Sequence, residues 1–435
     1  MHYVGLALSF FVIMYLSAKR RSFSQTMFVA ALVVAVTSTL PPAKVADIAI
    51  AAVIDRSTLE LAGTVFAIGV FAAIMNHLNF LEKMSSSLQT AFSARTVSAF
   101  VPALIGAMPV MGGAQVSAPL VDKTGDKLGL DRVTKAAANI IFRHGMFFLF
   151  PFSPSLILLS KMTGIAVWTL ISRLWPASVL LWGIGYAVLL SPGNPKTRRS
   201  DALSRAVAVE PSGDGMPELV ENVETPFPSR LKLEAFRTFL FYGSPLIVAL
   251  GISLALQIPL WASLLVGSLL ACGLGYWKTR SIPPLQEILR NSNLSQVPAM
   301  FWIMVFRAFI LESPALPALT GSIGGNVGRI GALAVAVPLA FGFVSASQTT
   351  SLGVLIPVFM PALEGAPAGV KLSAISAIYI SSFLSYLVSP LHLCQILTCQ
   401  FFDVSEIDVY KRYWPTLVGP VLLMVLYAVH VAMGS

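Results

Sequence analysis

The 435-residue chain is 56% hydrophobic and only 11% charged, a composition that excludes an ordinary water-soluble domain. Its formal net charge is +9, yet the Lys and Arg residues lie between apolar runs and form no basic stripe interleaved with aromatics, so nucleic-acid binding is excluded as well. Cys272, Cys394 and Cys399 provide neither a disulfide framework nor a metal-ligand spacing, and the sequence assigns them no role.

In chain order, the first apolar stretch (2–18) ends in Lys19-Arg20-Arg21 with no small-residue cleavage site behind it, and reads as a retained span. Segments long enough to cross a hydrocarbon core of roughly 30 Å follow near 25–42, 58–78, 131–161 and 167–190. Residues 191–234 combine Pro, Gly, Ser and acidic residues without apolar periodicity, and read as a cytoplasmic linker. Five more spans are predicted near 236–257, 259–277, 297–317, 367–400 and 414–433. Two further apolar segments, about 98–121 and 328–361, are interrupted by Gly, Pro, Ser, Thr and Gln and read as re-entrant hairpins.

The halves resemble each other. A shift of 236 positions lays Pro102 on Pro338, Gly106 on Gly342, Lys135 on Lys371 and Ser153-Pro154 on Ser389-Pro390. After a slip of three, RLWP (Arg173 to Pro176) falls on RYWP (Arg412 to Pro415). The expected fold class is an all-α polytopic membrane protein of two inverted repeats, 1–190 and 235–435, each with five spans, a hairpin and a Pro-broken span. With both termini outside, 20 of the 29 Lys and Arg residues fall on the cytoplasmic side, as the positive-inside rule requires. The expected location is the cytoplasmic membrane of a bacterium or archaeon.

Non-helical backbone at membrane depth survives only where it is buried in protein or lines an aqueous cavity, so the candidate site lies at four such places. The first hairpin carries Gly112, Gly113, Gln115 and Ser117 in MPVMGGAQVSAP, and the second carries Ser345, Ser347, Gln348, Thr349, Thr350 and Ser351 in GFVSASQTTSLG. The others are PFSPS, with Ser153 and Ser155, and VSPLH, with Ser389 and His392, where Pro removes a backbone donor and splits the span. Half-helix N-termini favour an anion, and freed carbonyls and hydroxyls favour a hard cation such as Na⁺, here assigned near Gly112, Ser117, Ser345 and Ser351. Arg143 and His144, inside the fourth span, are candidate substrate ligands by default. The bland alternative for Arg143 is a side chain snorkelling to the interface.

The order of spans, the MPVMGGAQVSAP hairpin and the following RHGMFFLFPFSPS segment resemble the membrane family catalogued as domain of unknown function 401. That family is placed here within the ion-transporter superfamily of gluconate, citrate, lactate and dicarboxylate carriers. The resemblance implies a scaffold domain, a transport domain moving like an elevator, and a homodimer. GGAQVS and SASQTTS stand where sodium-dicarboxylate carriers have Ser-Asn-Thr signatures. The expected function is secondary active transport of a small organic anion, a carboxylate, coupled to Na⁺ or H⁺ and with no bound cofactor. The alternative is a channel whose hairpins form the filter. An enzyme is not expected: H-E-x-x-H is absent, and acidic residues within the spans are too few for a paired-aspartate protease.

Overall fold

A computed structural model describes residues 2–38, 40–107, 113–190, 229–280, 283–292, 294–313 and 327–434. The first half contains α1 (His2–Ala18), α2 (Phe23–Thr37), α3 (Pro42–Ile54), α4 (Arg56–His77), α5 (Phe80–Ala91), α6 (Ala94–Gly106), α7 (Gly113–Lys127), α8 (Arg132–His144), α9 (Pro154–Thr163) and α10 (Val167–Leu189). The second contains α11 (Ser229–Leu256), α12 (Leu260–Thr279), α13 (Leu285–Asn291), α14 (Val297–Leu311), α15 (Val327–Ser345), α16 (Gln348–Ala362), α17 (Ala368–Leu387), α18 (Leu393–Phe402) and α19 (Glu406–Met433). The described residues contain no strand.

Among the described residues seven helices are long and apolar enough to cross a membrane: α4, α10, α11, α12, α14 (extended back to Leu294), α17 and α19. They coincide with seven of the ten predicted spans. The first two spans appear as the shorter apolar helices α1 and α2, and the fourth is divided into α8 and α9. Together these helices make the chain a multi-pass membrane protein. Within the most apolar stretch, α17 is 83% buried and α4 72%, against 33% for α10, α11, α12 and α19. The first pair therefore forms the interior. The others offer apolar residues such as Leu269 and Leu422 to the surroundings, as a lipid-facing helix must.

Three short helices were not foreseen. α3, α5 and α13 are 13, 12 and 7 residues long, too short to span, and lie in what reads as connecting sequence. The predicted linker also ends early: α11 begins at Ser229 with a turn whose Arg230, Lys232 and Glu234 are exposed, so no apolar periodicity marks it. Residues 191–228 lie outside the described residues.

The element order repeats. Shifted by 236, α2 overlaps α12, α3 meets the start of α13, α4 overlaps α14, and α6, α7 and α8 overlap α15, α16 and α17. Several helix starts carry a polar cap. Ser22, Asp55, Ser93, Asp131 and Ser405 accept backbone N–H bonds from the first turns of α2, α4, α6, α8 and α19.

Ion pairs divide between two ends of the bundle. One end holds Lys44–Glu312 (3.9 Å) and the Arg56–Glu60–Lys161 group. The other holds Lys135 with Asp122 and Asp126, Arg132–Asp403 and Arg412–Asp131, beside a His77–Glu287 contact at 3.1 Å. In the expected topology the first set lies outside the cell and the second on the cytoplasmic side. Single cysteines replacing Lys44 and Glu312, in a chain without its native cysteines, should react with an impermeant thiol reagent from outside the cell. Cysteines replacing Arg132 and Asp403 should react only after the membrane is opened. A mixed pattern within either pair would overturn the assignment.

Candidate functional site

At the position of the first predicted hairpin, α6 and α7 are tied by the Ser98 hydroxyl donating to Thr124 Oγ1 at 2.7 Å. The second is α15 with α16, reversing at Ala346 (φ 49°), where Ser347 Oγ accepts the Thr350 N–H at 3.2 Å. Both predicted span breaks are present too. α8 ends at His144, and a 3₁₀ turn (Gly145–Phe148) and Phe150–Ser153 precede α9, which has Pro154 at its first position. α17 ends at Leu387, and Val388–His392 precede α18. Pro at these points removes the N–H that a continuous helix would use.

The two breaks lie against each other. The His144 and His392 rings are 4.8 Å apart, Tyr386 is 4.2 Å from the His392 ring, and Phe147 stacks on Tyr386 at 6.3 Å and 11°. The Tyr379 hydroxyl donates to the Phe147 carbonyl at 2.6 Å, so the side chain at the position matching Arg143 in the repeat satisfies backbone freed by the other break.

Each half-helix packs on the other half's hairpin. Ser155 at the start of α9 meets Thr349 at the start of α16 at 3.2 Å. In the opposite sense, Asn139 Nδ2 donates to the Ala114 carbonyl at the start of α7 (3.1 Å) and to Thr398 Oγ1 on α18 (3.2 Å). Helix N-termini and C-termini both end in this region, supplying N–H groups for an anion and carbonyls for a cation. At α9 and α18 neither Ser153 nor His392 caps the helix with its side chain.

Arg143 is 8% exposed. Its Nη1 is buried without a hydrogen-bond partner. A snorkelling arginine would carry its guanidinium to water, so that reading does not describe this one. Its backbone passes so close to Gly106 that a side chain there would meet the Arg143 carbonyl and, at 2.6 Å, its Cγ. At the matching Gly342 the obstacle is the Ser385 hydroxyl, which explains why both repeats keep glycine at that crossing. Asn139 Oδ1 on α8 and His392 Nε2 at the second break are likewise buried without partners, while Ser153 and Gln348 lie at the Tyr379 hydroxyl. Buried polar atoms are rarely left so.

The remaining predicted residues are more dispersed. Ser389 donates to the Phe343 carbonyl at 2.6 Å and ties the second break to α15. Gln348 Nε2 approaches the Tyr379 carbonyl at 3.4 Å. Two proposed Na⁺ ligands make local bonds, Ser117 to the Ala114 carbonyl (3.3 Å) and Ser345 to the Ser347 carbonyl (3.4 Å), while Ser351 pairs with Ser382 on α17 (3.1 Å). Gly112 lies outside the described residues, as do the side-chain environments of Gly113 and Gln115. Sequence reasoning passed over Tyr386, Thr398, Gln395 and Cys394, which share the centre with the predicted residues. The available signal was polar or ionisable character within the ninth span. Cavities of about 510 Å³ and 390 Å³ open elsewhere, the first beside Glu60, Lys161 and Gln257, the second beside Cys399, Asp403 and Glu406. Neither is lined by the central residues.

The fold matches the crystal structure of the Alcanivorax borkumensis YdaH transporter with a TM-score of 0.62 at 13% identity, covering 97% of this chain and 99% of that one. At that identity the likeness concerns the fold. No curated protein matches the sequence. The family described as "Protein of unknown function (DUF401)" matches residues 3–207 and 229–432, nearly the whole of both halves, and the chain belongs to that family.

Proposed function

We propose that this protein is a secondary transporter of a small organic anion, a carboxylate, working by alternating access and coupled to Na⁺ or H⁺. The observation that carries this reading is the set of buried, unpartnered polar atoms, Arg143 Nη1 foremost, where two broken spans and two hairpins meet. A buried guanidinium nitrogen without a partner is costly, and a carboxylate is the group whose geometry matches it. The fold shared with a transporter supports the same reading, as do half-helices directing N–H groups inward. In this reading α6–α9 and α15–α18 form the moving domain of an elevator-type cycle, and the other spans form the scaffold and a homodimer contact. Carrier rather than channel is favoured because inverted halves with two broken spans suit alternation about one site.

The test is a thermal-shift screen of the purified protein against small carboxylates, with and without Na⁺ and at two pH values. A ligand at 100 times its Kd stabilises the folded state by about 2.7 kcal/mol, so a true substrate should raise the midpoint saturably. Counterflow of that compound in proteoliposomes should follow. Stabilisation by neutral or cationic compounds alone would overturn the anion assignment, and flux without saturation or counterflow would favour a channel.

A further inference from the structure

The central cluster also presents lone pairs, which a cation accepts and an anion does not. His144, His392 and Cys394 each offer a ligand atom, and these atoms lie within 4.8 Å of one another. Both histidines are buried, at 1% exposure. The His144 Nδ1 is 2.7 Å from the Ile140 carbonyl, and the His392 Nδ1 is 3.4 Å from the Leu387 carbonyl. Each ring nitrogen facing a carbonyl must carry the proton, so each Nε2 presents a lone pair. A backbone carbonyl on one ring nitrogen is the arrangement that orients a metal-ligating histidine and raises its basicity. His392 Nε2 has no hydrogen-bond partner at all. His144 Nε2 has only the Tyr386 hydroxyl at 3.4 Å, and that hydroxyl also contacts Cys394.

We propose that His144, His392 and Cys394 form a binding site for a borderline-soft divalent cation of the Zn²⁺ class, with a fourth position left for water or solute. The donor set, two imidazoles and a thiolate, is the type that selects such ions over Na⁺, Mg²⁺ or Ca²⁺. Cys394 binds as thiolate, its proton leaving to water, and the thiolate charge offsets the Arg143 guanidinium nearby. Tetrahedral bonds of about 2.0–2.3 Å hold ligand atoms about 3.3–3.8 Å apart, so the three donors close by about 1 Å on loading. That distance is within side-chain rotation for residues bordering the second break. Because His144 ends α8 and the other two begin α18, the ion would cross-link the two halves. The inference goes beyond the transport reading and stands whether or not the solute is an anion.

The experiment is titration of the full-length, chelator-dialysed protein in detergent with Co²⁺, followed by competition with Zn²⁺. One equivalent of Co²⁺ should give the visible bands of a tetrahedral site and a near-ultraviolet sulfur-to-cobalt charge-transfer band, both lost on adding Zn²⁺. Cys394→Ser should abolish the charge-transfer band. His392→Gln should weaken binding by more than about tenfold. Cys399→Ser should behave as the parent. Zn²⁺ should also protect Cys394, but not Cys272, from alkylation in the unsubstituted protein, a readout independent of how any variant folds. Absence of a saturable Co²⁺ signal, a charge-transfer band surviving Cys394→Ser, or alkylation of Cys394 unaffected by Zn²⁺ would overturn the site.

Discussion

Arg143→Ala should weaken binding of the transported anion by about 2–5 kcal/mol, the range for removing one partner of a desolvated, hydrogen-bonded charge pair. Arg143 lies in the last turn of α8 at the first span break, is 8% exposed, and leaves Nη1 unpartnered. Arg143→Lys keeps the charge and loses the planar fork, so it should retain part of the affinity while discriminating poorly between carboxylates of different shape. Isothermal titration with the best carboxylate from the thermal-shift screen, on variants matched by size-exclusion profile, makes the comparison. Affinities equal to the parent's in both folded variants would remove Arg143 from the site. The Cγ of Arg143 is wedged against Gly106, so truncation also opens space at the α6–α8 crossing. A fall in thermal midpoint is therefore expected beside the loss of affinity. The two effects separate because the packing loss appears without ligand.

Lys135→Ala should lower stability by about 2 kcal/mol. Lys135 Nζ lies 2.6 Å from Asp122 and 2.8 Å from Asp126, and its side chain is only 3% exposed. Its stem lies over Gly125, with Cγ 2.8 Å from where a β-carbon would stand. Breaking a fully buried pair costs about 3–5 kcal/mol, but these carboxylates are 44% and 42% exposed, so water screens part of the loss. Removing the lysine leaves two like charges one turn apart on α7 and strips apolar cover from the α7–α8 contact. Asp122→Asn with Asp126→Asn in the Lys135→Ala background should recover part of the midpoint, and a double-mutant cycle gives the coupling. An unchanged midpoint in Lys135→Ala would show that the first hairpin is held by packing alone.

Features that rest on local chemistry were legible in the sequence. Pro154 and Pro390 mark the breaks because proline lacks the donor a helix needs there. The Gly106–Gly342 correspondence, read as a sign of duplication, stands at a helix crossing in each half, whereas Ser347, read as a site residue, caps the start of α16. Features that rest on distant juxtaposition were not legible. Asn139 meets Thr398 across 259 positions, and nothing near either residue signals the other. Cys394 stands two residues from His392, but the third donor of the proposed site, His144, comes from α8 in the other half. α3 and α5 escaped notice because a hydropathy window sized for a full crossing passes over helices of 13 and 12 residues. Arg143 was identified as an ionisable residue at membrane depth. Only its burial distinguishes a ligand from a snorkelling chain.

The exchange of partners between halves bears on how the protein is made. While the second half is still being synthesised, α9 exists without α16 beneath it, and the tip of α7 exists without α18. α9 has ten residues and spans about 15 Å, half a bilayer, so it cannot settle as a crossing by itself. The newly inserted first half must wait with its polar break unsealed until α15–α18 follow. A chain cut within 191–228 should therefore yield two pieces that are each poorly behaved alone and assemble when produced together. If the halves are inverted as proposed, a gene for one half could serve on its own only if its product entered the membrane in both orientations, letting two copies supply each other's missing helix.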